Sequence, residues 1–460
     1  MFTEEWLAEQ SPEVQTVIRY LRAEIEQLKV QVQKLTPQNS SLPPSTQHPH
    51  AKPVRPKSKN GRKRGGQPGH KKHQRVLVPS DQCTEVVELF PTSCRRCSAT
   101  LQGQDAQPLR RQVWELPVIE PQITEYRQHR LICRCCGETT CAPLPEGTPA
   151  GDSGPRLIAF TGLLMGHFRQ SKRRAALFVQ DLLGFPCCPA LMVKMQNQVA
   201  AALQTPYEEL KSRLADERQL NMDETPTKQA NQKAWLWTAV APMFAVFAIF
   251  SSRKGEALPK LLGSTFAGII NCDRAKMYWQ AKRLQWCWAH LKRDFQALVD
   301  HPDRQVKRLG HDLMREVGSM FEQWSQYKQG KIDWSAFRSN MGPIRQGIDS
   351  LLLRGACSGN VRLQGMCDEL WSHRQWLWTF VDVEGIEPTN NSAERALRPA
   401  VIYRKLSFGT QSEAGSRFIE RMLTVGETCR LQKRSLFTYL TTAVHAHFAN
   451  QPAPSFLPGP

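Results

Sequence analysis

The sequence predicts a multidomain α/β protein organised around a mixed β-sheet, and three observations lead there. Two acidic residues follow or close apolar runs of strand length: Asp223 after Leu220-Asn221-Met222, and Asp273 after Ala267-Gly268-Ile269-Ile270. Between them the 17 residues from Ala234 to Phe250 are apolar except for Thr238. That run is at the short edge of a membrane span, but Pro242 interrupts it, and Lys233 and Arg253-Lys254 bound it. Rich in Trp, Val, Phe and Ile, it reads as two buried strands joined at Ala241-Pro242-Met243. Long stretches of helical apolar spacing lie on either side. With 460 residues the chain divides into two to four domains.

Residues 1–36 are expected to form a coiled-coil helix. Val14, Ile18, Leu21, Ile25, Leu28, Val32 and Leu35 recur at alternating spacings of four and three. A seam of this kind pairs with a second copy or packs on its own protein, and a homodimer or higher oligomer is expected. Pro37 ends it, and 37–80 is read as a basic DNA-binding linker. From Gln27 to Ser80 there are twelve Lys or Arg and no Asp or Glu, so this stretch supplies +12 of the net +19. Such a block is drawn to polyphosphate by counterion release, with Arg62, Lys63, Arg64, Lys71 and Lys72 as the expected DNA contacts; a solubilising linker is the alternative. The acidic start Met1-Phe2-Thr3-Glu4-Glu5-Trp6 lacks an apolar signal core. The expected location is therefore the bacterial cytoplasm, associated with the nucleoid and away from the membrane.

Residues 81–150 carry two knuckles, Cys94-Arg95-Arg96-Cys97 and Cys133-Arg134-Cys135-Cys136-Gly137, separated by a spacer read as β-rich over Val113–Leu116 and Gln122–Tyr126. This is zinc-ribbon spacing, with Cys94, Cys97, Cys133 and Cys136 holding a structural Zn2+. Residues 151–215 read as helices: Leu157 to Phe168, one opened by Ser171-Lys172-Arg173-Arg174, a break at Gly184-Phe185-Pro186, and Pro189 to Leu203. They form either a helix-turn-helix with Lys172, Arg173 and Arg174 on DNA or ordinary helix pairs.

Residues 216–300 start the core: a strand with Asp223, a hairpin, a helix near Glu256 to Leu262, and a strand with Asp273. That order is the one expected of a ribonuclease H-like sheet. Glu224, next to Asp223, should face the opposite side of its strand. Residues 301–385 form a helical insertion rich in tryptophan (Trp324, Trp334, Trp371, Trp376, Trp378), and 386–448 complete the core. There Ser392 to Leu397 starts a helix with Asn391 as candidate cap. A Pro-rich tail occupies 449–460. Cys287-Trp288-Ala289-His290 offers two metal ligands only, which argues against a separate zinc site; His290 is either a core histidine or a DNA contact.

Asp223, Asp273 and Glu394 together would cage two divalent cations, Mg2+ or Mn2+. The motifs that carry them resemble those of the transposases of insertion-sequence family 66. These are Met222-Asp223-Glu224-Thr225, Cys287 to Arg293, Asn390-Asn391-Ser392-Ala393-Glu394-Arg395-Ala396-Leu397-Arg398-Pro399, Arg404-Lys405 and Arg64 to His70. Arg274 follows Asp273 where many relatives have Gly. The resemblance implies a DDE transposase in which Asp223, Asp273 and Glu394 are the catalytic metal ligands, acting on element ends and target DNA. It also implies accessory transposition proteins as partners. Near the acids, Arg395 and Arg398 are expected to hold the scissile strand, with Lys405 in the loop beyond. A silent DNA-binding regulator and a nuclease that cuts without joining are the rival functions.

Overall fold

The computed structural model describes residues 6, 10–35, 75–149 and 151–457. Two compact units make up the chain, one of residues 55–121 and one of residues 1–54 with 122–460. Arg62, Lys63, Arg64, Lys71 and Lys72 lie outside the described residues. So do Pro37 and the rest of the linker up to residue 74.

The heptad segment forms helix α1 (Pro12–Leu35). Val14, Leu21, Ile25 and Leu28 on its seam are each 41–52% exposed. Each cysteine knuckle closes with the same backbone pattern. Cys94 N–H donates to Ala99 O and Ser98 N–H to Cys94 O; Cys133 N–H donates to Glu138 O and Gly137 N–H to Cys133 O. The fifth residue of each turn is left-handed, Ser98 at φ 60° and Gly137 at φ 74°. Strands β1 (Arg130–Ile132) and β2 (Thr139–Cys141) pair across the second knuckle. The β-rich spacer is not found: Val113–Leu116 and Gln122–Tyr126 form no strand. Val113 and Ile123 are 79% and 92% exposed, so the apolar alternation there has no face to bury.

The helical segment consists of α2 (Pro155–Gly162), extended by a π-turn over Leu163–His167, then α3 (Lys172–Leu183), α4 (Pro189–Ala202) and α5 (Gln204–Arg213). Ser171 Oγ caps α3 by accepting from Arg174 N–H, and Gly184 ends it in the left-handed conformation that glycine adopts without strain.

Next comes a five-stranded sheet built from β3 (Gln219–Gln229), β4 (Gln232–Val240), β5 (Ala245–Phe250), β6 (Ile269–Cys272) and β7 (Leu284–Trp286), with helix α6 (Ala257–Leu262) between β5 and β6. The spatial order is β5-β4-β3-β6-β7. The first three are antiparallel, while β6 runs parallel to β3 and β7 parallel to β6. The turn at 241–243 is where the apolar run breaks, closed by Ala241 N–H to Phe244 O. Both faces are covered. Leu236, Val240, Phe247 and Ile249 pack on one side with Ala393, Ala396, Leu397 and Ala400, whereas Trp237, Ala239, Val246 and Ala248 join the main core. A sheet buried on both faces reads as continuous hydrophobicity, which is why the run at 234–250 has no polar alternation.

After β7 come α7 (Trp288–Val299), then the insertion helices α8 (Arg304–Lys328), α9 (Trp334–Ala356) and α10 (Val361–Ser372), and a short α11 (Thr379–Asp382). The insertion tryptophans pack among aromatic neighbours: Trp324 lies 5.7 Å from Phe337, and Trp378 5.1 Å from Trp288, ring centre to ring centre. Helices α12 (Asn391–Ser407), α13 (Glu413–Leu431) and α14 (Leu436–Phe448) complete the chain. Edge strand β5 is protected by α13. Glu420, Thr424 and Thr428, four residues apart on one helix face, accept from the N–H groups of Ile249, Phe247 and Ala245. Edge groups that would otherwise seek another strand are thereby satisfied. Among the described residues no helix is long and apolar enough to cross a membrane.

Candidate active site

Three elements bring the acids together. Asp223 lies within β3, and Asp273 follows the end of β6, its parallel neighbour, with Asn221 opposite Asn271. Glu394 is in the first turn of α12, which packs on β3 and β4. Burial pushes Asp223 well above the ordinary carboxylate range, and the negative charges of Glu224, Asp273 and Glu394 push it further. Asp273 is also raised by burial, opposed by the Ala275 N–H that donates to its Oδ1 at 2.9 Å and by Arg253 and Arg274. In Glu394 burial again raises the value; Arg293 counters it and Asp273 adds to it. Among the described residues, no Lys or Arg forms an ion pair with Asp223 or Asp273. Three mutually repelling carboxylates therefore meet here, with Arg293, among the described residues, as the one cation in ion-pair range, on Glu394.

Glu224 is turned away, as strand alternation requires. Its carboxylate accepts from Arg253 at 2.6 and 2.8 Å and from the Tyr278 hydroxyl at 2.5 Å. Burial raises its pKa to about 7.

The segment before α12 is tied to the sheet by two asparagines. Asn271 Nδ2 donates to Glu387 O (2.7 Å) and Thr389 O (3.1 Å), and Asn390 Nδ2 donates to Met222 O (2.6 Å), beside Asp223. The helix cap is thus Asn390 rather than Asn391, and its side chain serves the sheet instead of the helix end. Trp288 N–H donates to Pro388 O, and Asn390 N–H to Cys287 Sγ at 3.2 Å. Glu394 is therefore placed by bonds that link β3, β6, α7 and α12.

These bonds also revise the reading of Cys287 and His290. The sequence offers two ligands at this place, and the fold supplies a third: donor atoms of Cys287, His290 and Glu394 all lie within 4.8 Å of one another. The three acids Asp223, Asp273 and Glu394 are set wider than that. His290 Nδ1 is 3.5 Å from Glu394 Oε1, and Arg293 is 3.6 Å from the same oxygen. Burial lowers His290 to a pKa of about 4, so the ring is neutral at pH 7.

A family model described as "Transposase IS66 family" matches residues 154–417, more than half of the chain. The chain belongs to the IS66 transposase family. The matched region includes Asp223, Asp273 and Glu394. A second model, for a family of unknown function, matches residues 5–76, the heptad and basic segments. Two proteins of Sinorhizobium fredii are similar, both named as uncharacterized. One, y4qI, is 23% identical over 56% of this chain and 53% of its own length; the other, y4hP, is 24% identical over 74% of this chain and 68% of its own. The chain thus spans about half the length of the first.

Other residues of this IS66-family chain fall at different distances from the acids. Arg395 and Arg398 are exposed on α12, directly after Glu394 and one turn on. Lys405 is in the last turn of the same helix, not in a following loop; eleven residues beyond Glu394 it stands about 16 Å along the axis. Lys172, Arg173 and Arg174 are exposed in the first turn of α3. The thiols of Cys94 and Cys133 are shifted down, each chiefly by backbone N–H groups of its own knuckle. Such turns stabilise thiolates, the form that binds zinc. Four residues that the sequence alone gave no role stand around the acids: Asn271, Asn390, Arg293 and Arg274. Arg274 donates to Asp294 at 2.7 Å and to Glu369 of α10 at 2.8 Å. A buried asparagine inside an apolar strand was the available signal for Asn271.

Proposed function

We propose that this chain is a DNA transposase of the DDE type with a ribonuclease H-like core, which cleaves the ends of an insertion sequence and joins them to target DNA. The observation that carries the reading is the convergence of Asp223, Asp273 and Glu394 from two adjacent parallel strands and one helix, each raised in pKa by burial. The chemistry of the set suits two Mg2+ or Mn2+ ions: three carboxylates raised by burial and by one another, with a single arginine among the described residues, Arg293, in ion-pair range of Glu394. When bound, such ions activate the attacking hydroxyl and neutralise the leaving oxygen.

The protein's own groups hold the reactants. Asp223, Asp273 and Glu394 are the ligands, Asn390 and Asn271 hold Glu394 against β3, and Arg395 and Arg398 clamp scissile-strand phosphates. Cleavage is hydrolysis of a phosphodiester that frees a 3′ hydroxyl. Joining is attack by that hydroxyl on a target phosphodiester, with the target's own 3′ oxygen as leaving group, so no covalent protein intermediate forms. His290 is neutral and its role lies beside Glu394. The basic segment with Arg62, Lys63, Arg64, Lys71 and Lys72 grips DNA non-specifically, and Lys172, Arg173, Arg174 and Lys405 add backbone contacts. The exposed seam of α1 fits a second copy as a coiled coil, and each cysteine knuckle, Cys94 with Cys97 and Cys133 with Cys136, offers a thiolate pair to structural Zn2+. The bacterial cytoplasm, at the nucleoid, is the place of action, with accessory transposition proteins as further partners.

The test is a duplex carrying the inverted repeats that flank the gene, incubated with Mg2+ or with EDTA. Metal-dependent nicking that Asp273→Ala abolishes, with DNA binding retained, is expected. A strand-transfer assay separates joining from cutting alone. Full cleavage by Asp273→Ala overturns the assignment.

A further inference from the structure

Cys287, His290 and Glu394 come from the start of α7 and the first turn of α12, two helices joined through Asn390. Cys287 is 1% exposed, and His290 Nδ1 and Glu394 Oε1 are buried with no hydrogen-bond partner. Three donor atoms of different type thus converge within 4.8 Å, two of them without a hydrogen bond. The third, Cys287 Sγ, accepts an N–H from Asn390 at 3.2 Å, the kind of bond that steadies a metal thiolate. We propose that these three residues form a binding site for one borderline-soft divalent cation, Zn2+, sharing Glu394 with the hard-ion cage of Asp223 and Asp273.

The donor set selects the ion. A thiolate and an imidazole disfavour Mg2+, which takes oxygen ligands, and favour Zn2+, which takes sulfur, nitrogen and one carboxylate oxygen with a fourth position open. Zinc ligands at about 2.0–2.3 Å stand some 3.3–3.8 Å from one another. The 3.5 Å between His290 Nδ1 and Glu394 Oε1 is already in that range. Binding displaces the thiol proton of Cys287 to solvent and replaces the loose 3.6 Å contact between Arg293 and Glu394. The sharing of Glu394 rests on the proposed function; the site itself does not. While Zn2+ holds Glu394, that carboxylate is withheld from the other two acids, so zinc loading would slow Mg2+-supported nicking.

The experiment is metal content of the full-length chain after zinc loading and dialysis. Wild type should retain one zinc equivalent more per chain than Cys287→Ser or His290→Gln, whatever the knuckle cysteines hold. Because Cys287 is buried, His290→Gln, at a partly exposed position, keeps the comparison valid where the serine variant misfolds. Glu394→Gln should lose the same equivalent, and Asp223→Asn should keep it. Equal zinc in wild type and His290→Gln overturns the site. Loss in Asp223→Asn as well assigns the ion to the acid cage and also overturns it. Retention of the extra equivalent by a chain with no Mg2+-dependent nicking leaves the site standing and rejects the DNA-cleavage reading instead.

Discussion

Removing the Arg274 guanidinium should cost this protein about 3 kcal/mol or more. Arg274 bridges Asp294 on α7 and Glu369 on α10, at 2.7 and 2.8 Å, with only 8% of the Asp294 side chain exposed. In Arg274→Ala the aspartate is left buried without its partner, a loss of about 3–5 kcal/mol where a buried pair is broken from one side. Glu369 is 29% exposed and adds little of its own. The penalty depends on pH. Burial already raises the Asp294 pKa against the pull of Arg274, so in the variant it rises further. A carboxyl whose folded pKa lies above its unfolded value loses stability as pH rises between the two. The gap between wild type and variant should therefore be widest near pH 8 and narrow in acid, where Asp294 takes a proton. Urea unfolding at pH 8 and pH 5 measures both values, and Arg274→Ala/Asp294→Asn should recover most of the loss. Arg274→Lys should not substitute, because one ammonium does not span two acids as the guanidinium fork does. A penalty below about 1 kcal/mol at pH 8, or one that does not shrink in acid, refutes the reasoning. Since Arg274 follows Asp273 directly, the same variant should slow nicking about 10- to 100-fold by loosening the second acid.

Other outcomes follow from the same contacts. Glu394→Gln and Asp223→Asn should each abolish Mg2+-dependent nicking while gel-shift binding persists, because the amide keeps the shape and removes the charge. The Mg2+ concentration that gives half-maximal nicking should fall as pH rises, since all three acids are raised and must lose protons to bind a cation; a flat dependence counts against them as ligands. Thr424→Val should lower stability by about 1–3 kcal/mol in thermal unfolding, as it leaves the buried Phe247 N–H unpaired. Burial lifts Glu420 to about 7, so its contribution diminishes as pH rises from about 4.5 to 7, and Glu420→Gln should flatten that slope.

Much of the architecture was legible along the chain because it depends on local pattern. The apolar run at 234–250 marked two buried strands, Pro242 marked their turn, and Ser171 and Gly184 bracketed α3. The surroundings of the three acids were legible in part: Asp273 does follow a strand and Glu394 does open a helix, whereas Asp223 falls inside a strand that runs six residues beyond it. The expected spacer strands failed because alternation without a partner does not form a sheet. The helix cap was misplaced by one residue because Asn390 answers to Met222 O, 168 positions away.

By itself the sequence determined which residues could be strands, helices, thiolate turns and acids, for these follow from residue type and spacing. Only the tertiary structure decided what those residues meet. It set β6 beside β3 in parallel, with Asn221 opposite Asn271, so that Asp223 and Asp273 lie level on adjacent chain segments. It joined Arg274 to two acids from the helices that follow it, and it brought Glu394 to Cys287 and His290. Each of these is a contact between separate segments of the chain, made as α12 covers one face of the sheet and Trp288, Leu291 and Phe295 of α7 join the main core.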